Sequence, residues 1–227
     1  MKTLLISILV FRTLGSFSQT VTDYDGNEYN TVHIGNQDWL RENLRSIHYS
    51  DGTEAAFMKY KDSDEGVEVY GLLYTWDAAM HDSTEEGVQG ICPCGWHVPT
   101  RQDWNDLFGY LGGADVAGRP LKEAGNDHWN LPNTGDNSTG FTATGAGFYN
   151  SDPLFTIGYH QRGNILGLWT STPSAVAGKA VQFAIQNSTD DVEMHDWVRT
   201  DAYSIRCIKD ASVPDGIEED GASIPEY

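Results

Sequence analysis

The clearest helical pattern in the chain lies at residues 100–111. Apolar side chains recur there every three or four residues, which places them along one face of a helix. They are Trp104, Leu107, Phe108 and Leu111. Thr100 begins the segment with Asp103 three residues later, as in an N-terminal capping box, and Gly112-Gly113 ends it. The sequence therefore predicts a capped helix whose apolar face belongs to the core.

Alternating apolar and polar positions predict short strands near both ends of the chain. Residues 19–48 contain three such segments, separated by the turn pairs Asp25-Gly26 and Gly35-Asn36. Three further strands are predicted towards the other end, at residues 181–186, 192–194 and 203–207. The spacing of apolar residues at 72–80 predicts a second helix.

Between these regions, residues 112–170 are rich in Gly, Asn and Asp, with scattered aromatic residues. This composition predicts a long irregular loop region, and long ordered loops in compact domains are usually functional. Together the patterns predict an α+β fold with small mixed or antiparallel sheets, two helices and this long irregular loop region.

Both ends of the chain are expected to lie outside the folded domain. Residues 4–11 are mainly apolar, but a span across a bilayer takes about 20 residues. With Lys2 before this stretch and small residues up to Ser18, the sequence predicts a signal peptide at 1–18 and an exported protein. The alternative for this stretch is a buried first strand. We expect a single domain over 19–210, and the acidic residues and prolines of 211–227 predict a disordered tail.

The charge balance narrows the class of partner. The 227-residue chain has 14 Lys and Arg against 33 Asp and Glu, a formal net charge of −19. A nucleic-acid binder carries a basic face that releases phosphate counterions, so this composition excludes that class. It also argues against docking on an anionic membrane surface, and no later segment is long and apolar enough to predict a membrane span.

The three cysteines allow one disulfide in an exported chain. A ring between Cys92 and Cys94 would be very small and strained. A bridge from either of these to Cys207 would tie the middle of the chain to its last predicted strand, and both pairings stay open on this reasoning. A zinc site is the alternative, but a C-x-C pair with one distant cysteine lacks the usual ligand spacing.

Several motifs occur in one order between residues 20 and 210. They are TDYDGNEY at 22–29, IGNQDWLRENL at 34–44, YG at 70–71 with YTW at 74–76, ICPCGWHVPT at 91–100, GF at 140–141, WTST at 169–172 and SIRCIKD at 204–210. In this order they resemble the Fibrobacter succinogenes major paralogous domain family. The match is specific because it needs rare Trp, Cys and His residues in a fixed order across nearly the whole predicted domain.

The resemblance implies an exported bacterial protein, secreted or at the cell surface, with a C-type-lectin-like fold related to the formylglycine-generating-enzyme branch. It also implies that Cys92 pairs with Cys207, since the family pattern has its cysteines at these two positions, and that Cys94 is a free thiol. Formylglycine-generating enzymes use a reactive cysteine pair in their C-terminal part, where this chain has Cys207 alone. Activity of that kind is therefore not expected.

Oxygen-bearing side chains in the loop region are candidates for a structural calcium site, and no other cofactor is expected. They are Asp127, Asn133, Asp136 and Asn137. Calcium prefers such ligands, but solvated loop residues explain the same composition and no EF-hand spacing is present. The triplet WND at 104–106 is similar to a motif of calcium-dependent lectins. It lies on the predicted helix with Trp104 in the core, so we do not expect calcium-dependent sugar chelation.

Aromatic residues in and near the loop region, together with His195, are the candidate ligand-binding residues. The aromatic ones are Trp129, Phe148, Tyr149, Phe155 and Tyr159. Exposed aromatic faces stack on sugar rings or form protein-binding hot spots, whereas the alternative is a small core under the loops.

These features favour a non-catalytic recognition domain that binds extracellular polysaccharide or a surface protein. No nucleophile elbow of the form G-x-S-x-G is present. One alternative is an enzyme acting on extracellular glycans, whose mark would be two close carboxylates. Another is a surface protein that assembles with copies of itself, marked by an unpaired edge strand or a large apolar patch.

Overall fold

Twelve short strands and four helices form within residues 20–211, which are the residues that the computed structural model describes. The strands are β1 (Thr20–Thr22), β2 (Glu28–Ile34), β3 (Gln37–Leu40), β4 (Tyr74–Thr75), β5 (Trp96–His97), β6 (Phe148–Asn150), β7 (Gly158–His160), β8 (Ile165–Pro173), β9 (Lys179–Gln186), β10 (Val192–Val198), β11 (Ala202–Tyr203) and β12 (Ile208–Lys209). The helices are α1 (Val67–Tyr70), α2 (Trp76–Ala79), α3 (Arg101–Tyr110) and α4 (Ala114–Leu121), and a 3-10 turn covers Tyr60–Asp62. The predicted signal peptide and all of the predicted tail except Ala211 lie outside the described residues.

The helix predicted at 100–111 is confirmed as α3. The Thr100 hydroxyl accepts from the backbone N–H of Asp103 at 3.1 Å, and the Asp103 carboxylate accepts from the backbone N–H of Thr100 at 2.7 Å. The expected number of two helices is wrong, since α1 and α4 also form. The predicted helix at 72–80 shortens to four residues, because the segment just before Trp76 is a strand paired with β11 and Thr75 caps the helix.

All pairings between the named strands are antiparallel, and they form three sheets. The strand orders are β1-β2-β3-β12-β5, β10-β9-β8 and β4-β11-β6-β7. Parallel contacts occur as isolated bridges, as between Leu168 and Ser204. The α+β class with mostly antiparallel sheets is therefore confirmed.

The prediction of an irregular region over 112–170 is wrong in part. The amphipathic helix α4 buries Ala117 and Leu121, and the hairpin of β6 and β7 also lies in this segment. Gly and Asn mark the turns here, but the elements between those turns are too short to show a clear period in the sequence.

Two buried apolar clusters cover opposite faces of β8 and β9. Leu168 and Phe183 belong to one cluster, whereas Trp169 and Ala180 belong to the other. Since both faces are covered, the polar side chains of Thr170 on β8 and Gln182 on β9 are buried as well. Ser204 and Arg206, in the segment between β11 and β12, are also buried. The residues at 203–207, predicted as the last strand, therefore do not alternate between the core and the solvent. The strands in this part of the chain are β11, which ends at Tyr203, and β12, which begins at Ile208.

Arg206 shows how the fold accommodates a buried cation. Its Nε and Nη2 atoms donate to the side-chain oxygen of Asn43 at 3.2 and 2.7 Å, and Nη1 donates to the carbonyl of Phe141. The guanidinium also lies 4.3 Å from the centre of the Phe141 ring. Burial lowers the pKa of Arg206 to about 9. The side chain thus joins three distant segments of the chain through hydrogen bonds.

The disulfide joins Cys92 and Cys207, as the family resemblance implies. Both cysteines are fully buried, with Cα atoms 5.9 Å apart, and the bridge spans a sequence separation of 115 residues. Cys94 is a free, exposed thiol. The bridge fixes the loop before β5 to the segment that leads into β12.

None of the helices in the described part of the chain has the length and apolar character needed to cross a membrane.

Candidate functional site

A polar cavity of about 460 Å³ lies where three segments meet. These segments are the turn and helix at 60–70, the loop at 126–130 and the turn at 162–163. The turn at 162–163 directly follows the β6–β7 hairpin, and the loop at 126–130 follows α4. The cavity is therefore built from segments up to about 100 residues apart that meet only in the folded chain.

An arginine held between two tyrosines forms one wall of this cavity. The guanidinium carbon of Arg162 lies 4.1 Å from the centre of the Tyr70 ring and 5.2 Å from that of Tyr60. His128 contacts Tyr70 edge-on, with ring centres 5.6 Å apart. All four side chains are half-buried, so each is packed against the protein and still reached by solvent.

Two further tyrosines extend these contacts along the β6–β7 hairpin. The register of the hairpin places Tyr149 opposite Tyr159, with ring centres 5.0 Å apart, and Tyr159 lies 5.3 Å from Tyr60. The Tyr159 hydroxyl donates to Asp62 at 2.9 Å, and burial together with this carboxylate raises the pKa of Tyr159 to about 12. We call the continuous set Tyr149, Tyr159, Tyr60, Arg162, Tyr70 and His128 the tyrosine–arginine row.

Two glycines allow the segments of the cavity to approach closely. Gly66 lies immediately before α1 with φ +83°, and a Cβ at this position would collide with Nη2 of Arg162. Gly163 has φ +82°, and a Cβ there would lie 2.9 Å from the side chain of Asn130. Larger residues would be strained in this backbone conformation and would also push the cavity walls apart.

Several N–H groups of the Arg162 guanidinium have no hydrogen-bond partner among the described residues. Nη2 donates to the backbone carbonyl of Glu65 at 3.3 Å, whereas Nε and Nη1 have no partner among residues 20–211. Neither Arg162 nor Lys61, which also lines the cavity, lies within ion-pair distance of a described carboxylate. Glu65 and Asp127 are exposed residues of the same lining. The cavity therefore offers unpaired donors and acceptors beside aromatic rings.

His128 is oriented by Glu123. Its Nδ1 atom lies 2.9 and 2.8 Å from the two carboxylate oxygens of Glu123, so Nδ1 carries the proton of this hydrogen bond. Nε2 makes no hydrogen bond to the described residues. Asn130 is held by a hydrogen bond of 3.0 Å from its side-chain nitrogen to Asn164. These contacts fix the polar groups of the cavity before any ligand is present.

The structure separates the predicted aromatic residues into three places. Tyr149 and Tyr159 belong to the tyrosine–arginine row. Trp129 does not offer the exposed ring that its prediction as a ligand-binding residue requires. It is only 2% exposed, and its indole N–H donates to the carbonyl of Ala143 at 2.9 Å. Its ring packs in the core and presents almost no exposed surface for stacking. Phe148 is half-buried, and its ring stacks against that of buried Tyr203 with ring centres 5.4 Å apart.

Phe155 and His195 lie together at a different place. Both contact Trp197 on β10, with ring centres 6.5 and 6.4 Å away. Phe155 is 61% exposed, and its neighbours Leu154 and Ile157 on the hairpin loop are also exposed. This small apolar patch shares no residue with the tyrosine–arginine row.

Three of the four predicted calcium candidates are hydrogen-bonded to other residues of the protein. Asp136 accepts from Arg119 at 3.0 Å, and the Asn137 side chain binds Thr142. The Asn133 amide donates to backbone carbonyls, whereas Asp127 lines the cavity. Within residues 20–211 no three His, Cys, Asp or Glu side chains are arranged to hold a metal ion.

A second groove, of about 1030 Å³, surrounds His97 at the end of the domain. Nδ1 of His97 lies 2.7 Å from Asp210, and Nε2 lies 3.4 Å from Asp103. Burial by itself would lower the pKa of His97, but the hydrogen bonds and charges of these two carboxylates outweigh it and raise the pKa. The imidazole therefore joins α3 to the end of β12 through its two ring nitrogens.

Sequence reasoning missed most of the tyrosine–arginine row. Tyr60, Tyr70, His128 and Arg162 were not predicted as site residues. For Tyr60 the reason is that the segment at 49–66 has the composition of a polar loop. Nothing in the local spacing relates these residues to one another. The two tyrosines of the β6–β7 hairpin were found only because they lie in the aromatic-rich loop region.

Comparison with known proteins gives one match. The family model described as Fibrobacter succinogenes major domain matches residues 32–209, which include the disulfide and the whole tyrosine–arginine row. No curated protein and no solved structure matches the chain significantly. The match concerns family membership and carries no statement about binding or catalysis.

Proposed function

The chain belongs to the Fibrobacter succinogenes major domain family, and from this premise we propose that it is an exported, non-catalytic recognition protein that binds extracellular polysaccharide at the tyrosine–arginine row. The continuous row of half-buried rings beside a polar cavity carries the proposal. Ring faces stack on the apolar faces of sugars, while the amide, hydroxyl and guanidinium groups beside them match sugar hydroxyls.

Three features support a preformed site. Arg162 is held between two rings, His128 is oriented by Glu123, and Asn130 is bonded to Asn164. Groups that are already ordered lose little conformational entropy when a ligand binds. Binding of this kind needs no proton transfer and no cofactor.

The proposal includes export of the protein and a C-type-lectin-like fold. A buried disulfide with a long loop is compatible with an oxidising compartment. The pairing of β12 with β3 brings the two ends of the domain into one sheet. This arrangement is compatible with the C-type-lectin-like fold that the family resemblance implies.

The proposal is tested by titrating the purified protein with a panel of soluble polysaccharides, with calcium and again with chelator. We expect at least one polysaccharide to bind equally under both conditions, since no calcium ion is part of the proposed site. Tyr70→Ala should weaken binding about fivefold or more, because truncating a central aromatic contact typically costs over about 1 kcal/mol. Tyr110→Ala is the matched control, since this exposed tyrosine lies outside the row.

Three results would contradict the proposal. Binding of no polysaccharide would direct the search to protein partners, starting with the apolar patch at Phe155. Equal weakening by Tyr70→Ala and Tyr110→Ala would remove the row from the site. Release of reducing ends during incubation would replace recognition with glycan cleavage.

A further inference from the structure

We propose that the tyrosine–arginine row recognises a sugar carboxylate, so that the polysaccharide contains uronic acid residues. This inference rests on the proposed function and names the class of sugar that the same site takes. It starts from Arg162, whose guanidinium is clamped between Tyr60 and Tyr70. Because both rings lie this close to the guanidinium, at 4.1 and 5.2 Å, its N–H groups are the part left to meet a ligand.

The free donors of this guanidinium match a carboxylate. Nη2 of Arg162 donates one of its two N–H groups to the carbonyl of Glu65, while the N–H groups of Nε and Nη1 are unpartnered among the described residues. The second N–H of Nη2 forms a parallel fork with the N–H of Nε or with one of Nη1. Adjacent guanidinium N–H groups bind both oxygens of a carboxylate in parallel, which is the geometry that favours Arg over Lys at such sites. A sugar hydroxyl offers these donors one uncharged oxygen, whereas a carboxylate offers two oxygens and a negative charge.

The charges around the cavity set the number of carboxylates that it accepts. Arg162 and Lys61 line it without an ion-pair partner in the described part of the chain, and the exposed carboxylates of Glu65 and Asp127 lie in the same lining. A densely charged chain, such as a highly sulfated one, would meet these carboxylates as well as the cations. The arrangement fits one carboxylate among several hydroxyls, which is the charge density of a uronic acid within a polysaccharide.

The surrounding protein makes this pairing selective. The chain carries a net charge of −19, so a polyanion is repelled from most of its surface. A negatively charged ligand therefore binds only where unpaired cations are exposed. The other rings of the tyrosine–arginine row then contact the sugar rings that flank the carboxylate.

The test compares each acidic polysaccharide with its own neutral form. Polygalacturonate, alginate and hyaluronan are titrated into the purified protein beside carboxyl-reduced samples, in which each carboxylate is a primary alcohol and the linkages are unchanged. We expect at least one acidic form to bind ten or more times more tightly than its reduced form. Arg162→Gln should abolish this preference, and Arg162→Lys should keep only part of it, because an ammonium cannot bind both oxygens in a fixed fork.

The ratio of the affinity for the acidic form to the affinity for the carboxyl-reduced form distinguishes loss of charge recognition from structural damage. A variant that merely disturbs the two tyrosines would weaken both forms equally and would contradict the role given to Arg162. Arg101→Gln is the control, since Arg101 is an exposed arginine at the start of α3, and it should leave the ratio unchanged. If neutral polysaccharides bind and acidic ones gain nothing, the carboxylate inference fails while the proposed function stands. If no polysaccharide binds at all, both fail.

Discussion

Reduction of the Cys92–Cys207 disulfide should remove a large part of the stability of the domain. The bridge closes a loop with a sequence separation of 115 residues. On the chain-entropy model, a loop of this length lowers the entropy of the unfolded chain enough to stabilise the fold by about 5 kcal/mol. Typical domains are stable by about 5–15 kcal/mol, so the reduced protein should be marginal or unfolded.

The measurement is urea denaturation of the Cys94→Ser variant, with the bridge intact and after reduction. Removing the exposed Cys94 thiol prevents exchange with the bridge and should itself change stability by less than about 0.5 kcal/mol. Comparing oxidised and reduced forms of one chain leaves both buried sulfurs in place. The difference in the free energy of unfolding therefore reports the bridge and not lost packing.

A difference below about 2 kcal/mol would refute the loop-entropy argument. The slope of free energy against urea concentration would then show the reason. Equal slopes would mean that the reduced unfolded chain is already as compact as the bridged one, so that the bridge has little entropy to remove. A lower slope for the oxidised chain is the expected effect of the bridge and would leave the small difference without this explanation.

Two other predictions follow from single residues. Gly66→Ala should weaken polysaccharide binding, because the added methyl group displaces Arg162. Gly26→Ala is the control, since Gly26 has the same φ of +83° and open space around it. In urea unfolding, Gly26→Ala should lower the free energy of unfolding by about 1–2 kcal/mol through backbone strain alone. Because the carboxylates of Asp103 and Asp210 raise the pKa of His97 in the fold, its stabilising contribution should be complete below the ordinary value of 6.5 and disappear as the pH rises through the folded-state pKa. The stability of His97→Gln should show no such step, and an unchanged step in this variant would assign it to another group.

Signals within a few neighbouring residues were sufficient to predict some of the secondary-structure elements. The capping box of α3 acts within a few residues, so the sequence predicted this helix at nearly the observed bounds. The turn pair Asp25-Gly26 marked the position of the first hairpin, but the connection between β1 and β2 covers the five residues 23–27 and not two. The family was identified in the same way, because its motifs are rare residues in a fixed order. The family pattern also selected Cys207 as the partner of Cys92, where spacing alone left two pairings.

Alternation along a strand was a weaker guide, because it assumes one face in solvent. In β9 both faces are covered by apolar clusters, so Gln182 is buried beside Phe183. The buried Arg206 is a similar case, since its partners Asn43 and Phe141 are distant in sequence. Which polar side chains enter the core is decided when separate layers pack together.

Most of the candidate site was decided by tertiary structure. Tyr60 lies on the 3-10 turn, Tyr70 ends α1 and Arg162 follows β7, and the three meet only in the folded chain. No local rule links them, because ring and cation contacts depend on distances between segments and not on spacing along one. The sequence by itself determined the family, the charge and the elements with local signals, whereas the fold determined which side chains share a surface.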